Sequence, residues 1–174
     1  MPYGLLNHPE VYLRKFAAGD IPAMQRIISK TLSKTETRRS GTDLRLLLQP
    51  VSRGRYPKGK AVRLADTKYT FAKMRVVAFR GRVIGLGGVC RLDTHPDDVL
   101  EVDWFAIDPR YQRNGLGTKF MKWMISEAKR GNNKILFVWS TAEAEPFYKK
   151  FGFRRSRMRI LPMETRILLV KKIQ

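Results

Sequence analysis

The stretch Ile107-Asp108-Pro109-Arg110-Tyr111-Gln112-Arg113-Asn114-Gly115-Leu116-Gly117-Thr118 decides how this chain is read. An apolar, β-rich run from Val99 to Ile107 enters it, and a helical pattern of Leu116, Phe120, Met124 and Ala128 leaves it. A strand that turns through a glycine-containing loop into a helix presents unpaired backbone N–H groups at the positive end of the helix dipole. Gly115 and Gly117 lack a Cβ, so a phosphate can approach the backbone there. Arg110, Arg113 and Lys119 add positive charge around the turn. The expected ligand is a phosphate-bearing cofactor. A plain strand-to-helix turn would explain a lone Gly-x-Gly equally well, so the spacing must discriminate. Phe120 stands where a dinucleotide fingerprint needs its third glycine, and the Gly-Lys-Ser/Thr of a Walker loop is absent.

What the stretch resembles is the acetyl-CoA loop of the GCN5-related N-acetyltransferase (GNAT) superfamily, Gln/Arg-x-x-Gly-x-Gly/Ala. Gln112, Gly115 and Gly117 match it, and the leading Asp108-Pro109-Arg110-Tyr111 is typical of that family. Downstream, Thr141 to Phe153 is similar to the family's Asn-x-x-Ala-x-x-x-Tyr-x-x-x-Gly-Phe, with Ala144, Tyr148, Gly152 and Phe153 in place. Only Thr141 departs, standing where the family has Asn. The resemblance covers roughly residues 10–172 and is most specific over 99–153. It implies an α/β GNAT fold: a central, mostly antiparallel sheet with a splayed pair of strands at the acetyl-CoA site and flanking helices.

Composition sets outer bounds. The chain has 174 residues, which suits a single domain, 1–174, with a sizeable core. No apolar run is long enough to span a bilayer, and no basic-then-apolar leader opens the chain, so no membrane partner and a reducing cytoplasm are expected. The single Cys90 lies in an apolar strand pattern and reads as a buried thiol rather than a nucleophile. With His8 and His95 the only histidines, no metal-site spacing exists.

The net charge of +20 comes from 35 Lys plus Arg against 15 Asp plus Glu. Residues 38–82 carry 13 basic and 2 acidic side chains, and residues 149–174 carry 9 and 1. Residues 93–108 reverse the balance, with six acids and no Lys or Arg. Coenzyme A needs only a few cations, so the excess raises RNA or another polyanion, held by residues 38–82 and 149–172, as a partner. Solubility and attraction for an anionic cofactor are the simpler account of the same charge.

Along the chain, residues 11–16 read as a strand, and Asp20-Ile21-Pro22 caps a helix carrying Met24, Ile27 and Ile28. Asp43 to Gln49 reads as a helical piece and 52–60 as a basic, Gly/Pro-punctuated mobile loop, whose Tyr56 could stack on a base. Thr70–Phe79 and Val83–Leu92 form a hairpin, with Gly85, Gly87 and Gly88 signalling a bulge or a close backbone approach. A helix runs to about Arg130 and ends at Gly131-Asn132-Asn133. Lys134–Ser140 is a short strand, and Arg155–Ile160 pairs with Arg166–Lys172.

The resemblance also implies the chemistry. Acetyl-CoA is the co-substrate, its pyrophosphate held by backbone N–H groups of Arg113, Asn114, Gly115, Leu116, Gly117 and Thr118, with Gln112 and Thr141 among the cofactor positions. The strand before the loop bulges and splays, so the free backbone groups of Phe105, Ala106 and Ile107 face the pantetheine arm and thioester. Tyr148 is the candidate general acid, since a phenol with a pKa of about 10 keeps its proton at neutral pH. Glu101 sits where the histone-directed branch places its catalytic glutamate, and Asp103 lies on the same strand face, so the pair can raise one pKa and supply a base. On this reading Glu101→Gln lowers the rate mainly below neutral pH.

The acceptor is a primary amine on a protein or small molecule, and a homodimer is in keeping with the family. The alternatives are an aminoacyl-tRNA-directed, toxin-like acetyltransferase, or a weakly catalytic GNAT-fold module that binds nucleic acid.

Overall fold

The computed structural model describes residues 8–32, 44, 62–64, 67–156 and 166–173. The expected Asp43–Gln49 helix falls outside these apart from Leu44, which is helical and buried, and so do the 52–60 loop, Tyr56 and residues 157–160. Strand β1 (Val11–Arg14) leads through a short 3-10 turn (Ala18–Asp20) into α1 (Ile21–Thr31). Then come β2 (Val62–Leu64), β3 (Thr67–Phe79), β4 (Arg82–Leu92) and β5 (Val99–Ile107). A 3-10 turn (Pro109–Tyr111) precedes α2 (Leu116–Arg130), followed by β6 (Ile135–Ser140), α3 (Glu145–Lys149), β7 (Arg154–Arg155) and β8 (Ile167–Lys172).

One sheet contains all eight strands, in the order β1-β3-β4-β5-β6-β8-β7, with β2 also on β3. Every pair is antiparallel except β5–β6. The two faces carry separate cores, because successive strand residues point to opposite sides. On the α1 face lie Ile21, Met24, Ile28, Leu44, Met74, Leu86, Cys90 and Ala106. On the α2 face lie Ile84, Leu100, Val102, Phe120, Met124, Leu136, Tyr148, Phe153 and Leu169.

One local expectation needs correction. Asp20 does not cap α1: its carboxylate accepts both Arg14 guanidinium donors, at 2.6 and 2.7 Å, and the Ala17 N–H at 2.8 Å. An arginine that can bind bidentately outcompetes a single helix N–H for those oxygens. Helix α2 ends at Gly131-Asn132-Asn133 as expected, with Gly131 at φ −85° and Asn132 taking the left-handed turn at φ +52°. Asn tolerates that region almost as well as Gly because its short side chain bonds locally.

Candidate active site

Strand β5 is where the sheet departs from regularity. In its first half it pairs with β6 at Val99↔Ile135, Leu100↔Leu136 and Glu101↔Phe137, and the ladder stops there. Beyond Glu101 the two strands part, leaving a gap inside the sheet. On its other edge, β5 pairs Asp103 with Gly88 and Ala106 with Leu86, so Trp104 and Phe105 together face Gly87. This is a β-bulge, and Trp104 takes the extra turn at φ +50°. For a residue of that bulk the left-handed region is strained by roughly 1–2 kcal/mol.

The bulge reverses the alternation of side chains. Glu101 and Asp103 lie on the α1 side, with their cross-strand neighbour Cys90, and Trp104 joins that side too. Phe105 and Ile107 then fall on the α2 side. Gly87 makes this fit: a Cβ there would come within 2.8 Å of Phe120 Cε1 and 3.1 Å of Phe105 Cα. The glycine cluster in β4 thus does mark a bulge, as its sequence suggested.

After β5 the chain is tied down before it enters α2. Gln112 donates its side-chain amide to the Ile107 carbonyl at 2.9 Å, closing the loop onto the strand end. Asp108 accepts the Arg110 N–H and folds the Arg110 guanidinium back onto itself at 2.8 and 3.2 Å. Arg110 therefore neutralises a neighbour instead of adding charge to the turn. Arg113 (φ +59°) and Gly115 (φ +77°) carry the left-handed turns, and Asn114 donates to the carbonyls of Gln112 and Tyr111. Gly115 is the N-cap of α2, and no side chain caps the first-turn N–H groups of Leu116, Gly117 and Thr118. Arg113 and Lys119 are exposed beside them. Gly117 has a packing reason as well: a Cβ there would press on the Phe147 ring at 3.4 Å.

Tyr148 reaches the same strand from α3. Its buried ring meets Phe105 edge-on, with Phe147 and Phe153 on its flanks. Burial pushes its phenol well above the usual range, against a smaller opposing effect of Arg166. Thr141 lies at the entry to α3, where its carbonyl accepts the Glu145 N–H and its hydroxyl the Ala144 N–H. It serves as a helix-entry cap in this geometry.

The two carboxylates differ. Asp103 accepts the Tyr69 hydroxyl at 2.8 Å on one oxygen and the Trp104 N–H at 2.9 Å on the other, so it anchors the bulge. Glu101 is half-buried, and its pKa is pushed up to about 8 by desolvation first and by the Asp103 charge second. The Cys90 thiol is likewise held protonated by burial, then by Asp103 and Glu101. Sequence reading missed two members of this group. Tyr69 falls one residue before the hairpin as read from Thr70, and His95 lies in the acidic turn, with its Nε2 3.8 Å from Glu101.

Residues 70–155 match the family model of the acetyltransferase (GNAT) domain. Over those residues the chain is similar to a GNAT domain. It is 35% identical over 66 residues to an S-(2-succino)cysteine N-acetyltransferase of Bacillus subtilis, over 35% of this chain and 40% of that protein. It is 28% identical over 79 residues to the N-alpha-acetyltransferase RimI of Mycobacterium tuberculosis, over 45% and 50% of the two chains. The chain thus spans half or less of the length of these curated relatives. Among solved structures, Ard1 from Thermoplasma volcanium superposes with a TM-score of 0.67 at 18% identity, over 95% of this chain and 99% of that one. The PaiA N-acetyltransferase of Thermoplasma acidophilum, solved with coenzyme A, gives 0.66 at 12% identity, over 93% and 98%. At such identities the likeness is one of fold, over more than nine-tenths of this chain. Among the described residues no group of His, Cys, Asp and Glu is arranged to hold a metal, and no helix is long and apolar enough to cross a membrane.

Proposed function

We propose that this chain is an acetyl-CoA-dependent N-acetyltransferase, in which a primary amine of a protein or small molecule attacks the thioester directly. The observation that carries the reading is the gap beside β5. A bulged strand end, an uncapped helix N-terminus and a buried tyrosine converge on it from three elements. The residues fit acetyl-CoA: the left-handed Gly115, the free first-turn N–H groups of α2, and exposed Arg113 and Lys119 suit its pyrophosphate. Bound there, it would supply the activated acetyl group. Backbone groups of Phe105, Ala106 and Ile107, parted from β6, would align the pantetheine arm, and preorganised donors of this kind lower barriers by a few kcal/mol.

Glu101 takes a proton from the acceptor ammonium, and Tyr148 gives one to the departing thiolate. Asp103, with both oxygens engaged, holds the bulge and keeps Glu101 basic. With Glu101 pushed up to about 8, the pH window expected from the sequence moves. The base is ionised only above neutrality, and it becomes dispensable as a lysine-type amine nears its own pKa of about 10.4. Glu101→Gln should therefore lower the rate most between those two values, instead of below neutral pH.

The second reading, acetylation of the amino group on a charged tRNA, is favoured by the +20 net charge alone. Label partition separates the two. The protein is incubated with carbonyl-labelled acetyl-CoA and whole-cell extract, and protein, RNA and small-molecule fractions are counted beside a Tyr148→Phe control. Tyr148-dependent label in protein or small amines supports the first reading, and label in RNA replaces it with the second. No label above control in any fraction overturns both and leaves a binding module.

A further inference from the structure

His95 is held more firmly than a turn residue needs to be. Its backbone N–H donates to the Leu92 carbonyl at 3.0 Å, and the Leu92 N–H returns a bond to its Nδ1 at 3.2 Å. The ring then leans edge-on against Phe137, 5.0 Å between centroids. Because the Leu92 N–H occupies the Nδ1 lone pair, the neutral ring must carry its proton on Nε2. That nitrogen faces Glu101 Oε2 at 3.8 Å, and both side chains are about 15% exposed, at 15 and 16%. A shift of well under an ångström in either side chain brings that distance within hydrogen-bond reach. Phe137, which braces the ring, is also the residue opposite Glu101 where the β5–β6 ladder ends. The turn, the brace and the carboxylate therefore meet at the mouth of the gap.

We propose that His95 is a positioning residue, a neutral Nε2–H donor that fixes one oxygen of Glu101 and leaves the other for the acceptor amine. The inference rests on the reading of Glu101 as the base. The surroundings favour a neutral donor over a cation. Burial, and after it Arg91, hold the imidazole below its usual pKa against the pull of Asp93. The other groups facing Glu101 either repel its charge or stay neutral. Asp103 on the same strand is a like charge, the Cys90 thiol on β4 is protonated, and Tyr69 on β3 spends its hydroxyl on Asp103. His95 is the one donor the described residues aim at Glu101.

The test uses the full chain and needs no acceptor. Nitrogen-15 imidazole spectra, with only His8 to distinguish, should show His95 as the Nε2–H tautomer, titrating below the usual imidazole range. A Nδ1–H tautomer, or two averaged nitrogens titrating within that range, overturns the proposal without any variant. Carbon-13 carboxyl spectra, with Glu101 assigned by its loss in Glu101→Gln, supply the second arm. In His95→Phe, which keeps the ring against Phe137, the Glu101 titration should move up by about one pH unit, since a bond to the charged form is lost. His95→Gln, whose amide N–H reaches about as far as Nε2, should restore it to within about a third of a unit. A His95→Phe titration superimposable on the wild type refutes the contact. The base reading fails separately: full activity in Glu101→Gln would remove the catalytic role of Glu101 while leaving the tautomer and the titration shift intact.

Discussion

Replacing Glu101 by Gln should make this protein more stable in alkali, although it removes a carboxylate at the centre of the candidate site. The magnitude follows from how far the fold shifts the Glu101 titration. An unfolded chain releases the Glu101 proton near 4.5, and the folded protein holds it to about 8. Between those values the folded state binds more protons, so stability falls as pH rises through the window and levels off outside it. About 3.5 pH units at about 1.36 kcal/mol each give a ceiling of about 5 kcal/mol, of which about 4 kcal/mol is lost between pH 5 and pH 9. Gln has the shape of the protonated acid and no charge to bury. At pH 5 the variant should lie within about 1 kcal/mol of the wild type, and by pH 9 it should be the more stable by about 3–4 kcal/mol. Urea unfolding followed by fluorescence of the three tryptophans at several pH values measures the difference, in which every other titrating group cancels. Wild-type and variant stabilities that run parallel from pH 5 to pH 9 would refute the reasoning, because Glu101 would then titrate alike in both states.

The remaining predictions concern the gap and its walls. Tyr148→Phe should lower turnover by at least about tenfold with coenzyme A affinity unchanged by calorimetry, in line with the usual worth of a positioned acid; a rate within about twofold of wild type removes Tyr148 from that role. Gly87→Ala sets a Cβ 2.8 Å from Phe120 Cε1 and should cost about 1–3 kcal/mol of stability and weaken coenzyme A binding by shifting the bulge, both readable in one thermal-shift titration. Glu127 is held below the usual carboxylate range, where the bonds from Lys73 and Arg130 outweigh its burial. Its contribution is present above about 4.5 and lost as pH falls through the lower folded value. Glu127→Gln should thus flatten the acid limb of a stability profile, and an unchanged limb would count against the pairing. If RNA is a partner, its binding should fall by orders of magnitude between about 50 and 200 mM salt, while coenzyme A binding loses far less.

Much of the fold was legible because its signals are local. The glycine pair at Gly115 and Gly117 ahead of the Leu116–Phe120–Met124 stripe gave the strand-to-helix turn, and the β4 glycines gave the bulge. The split between partners was not legible. Arg110 and Arg113 look alike in sequence, yet only Arg110 has a carboxylate two residues away to fold onto. Asp20 stands in the N-cap position, but β1 brings Arg14 to it, a tertiary contact that no helix-start pattern encodes. Spacing put Glu101 and Asp103 on one face and could go no further. Their separate environments come from Tyr69 on β3 and His95 in a turn, set beside them by strand register. Burial, the larger cause of the Glu101 shift, is a property of the assembled sheet.

The short β5–β6 ladder also bears on how the molecule breathes. Only three residue pairs join the strands before the gap to those after it. The core on the α1 face belongs wholly to elements up to β5, whereas the core on the α2 face draws on both sides of the divide. Cooperativity between the halves therefore passes through Leu100, Phe120, Leu136, Tyr148 and Leu169, and hardly at all through backbone pairing. Hydrogen exchange should resolve two units with different opening energies, divided at the gap. Opening of the α1 side alone would widen the acceptor entrance while the α2 face stayed closed over the helix that greets the cofactor.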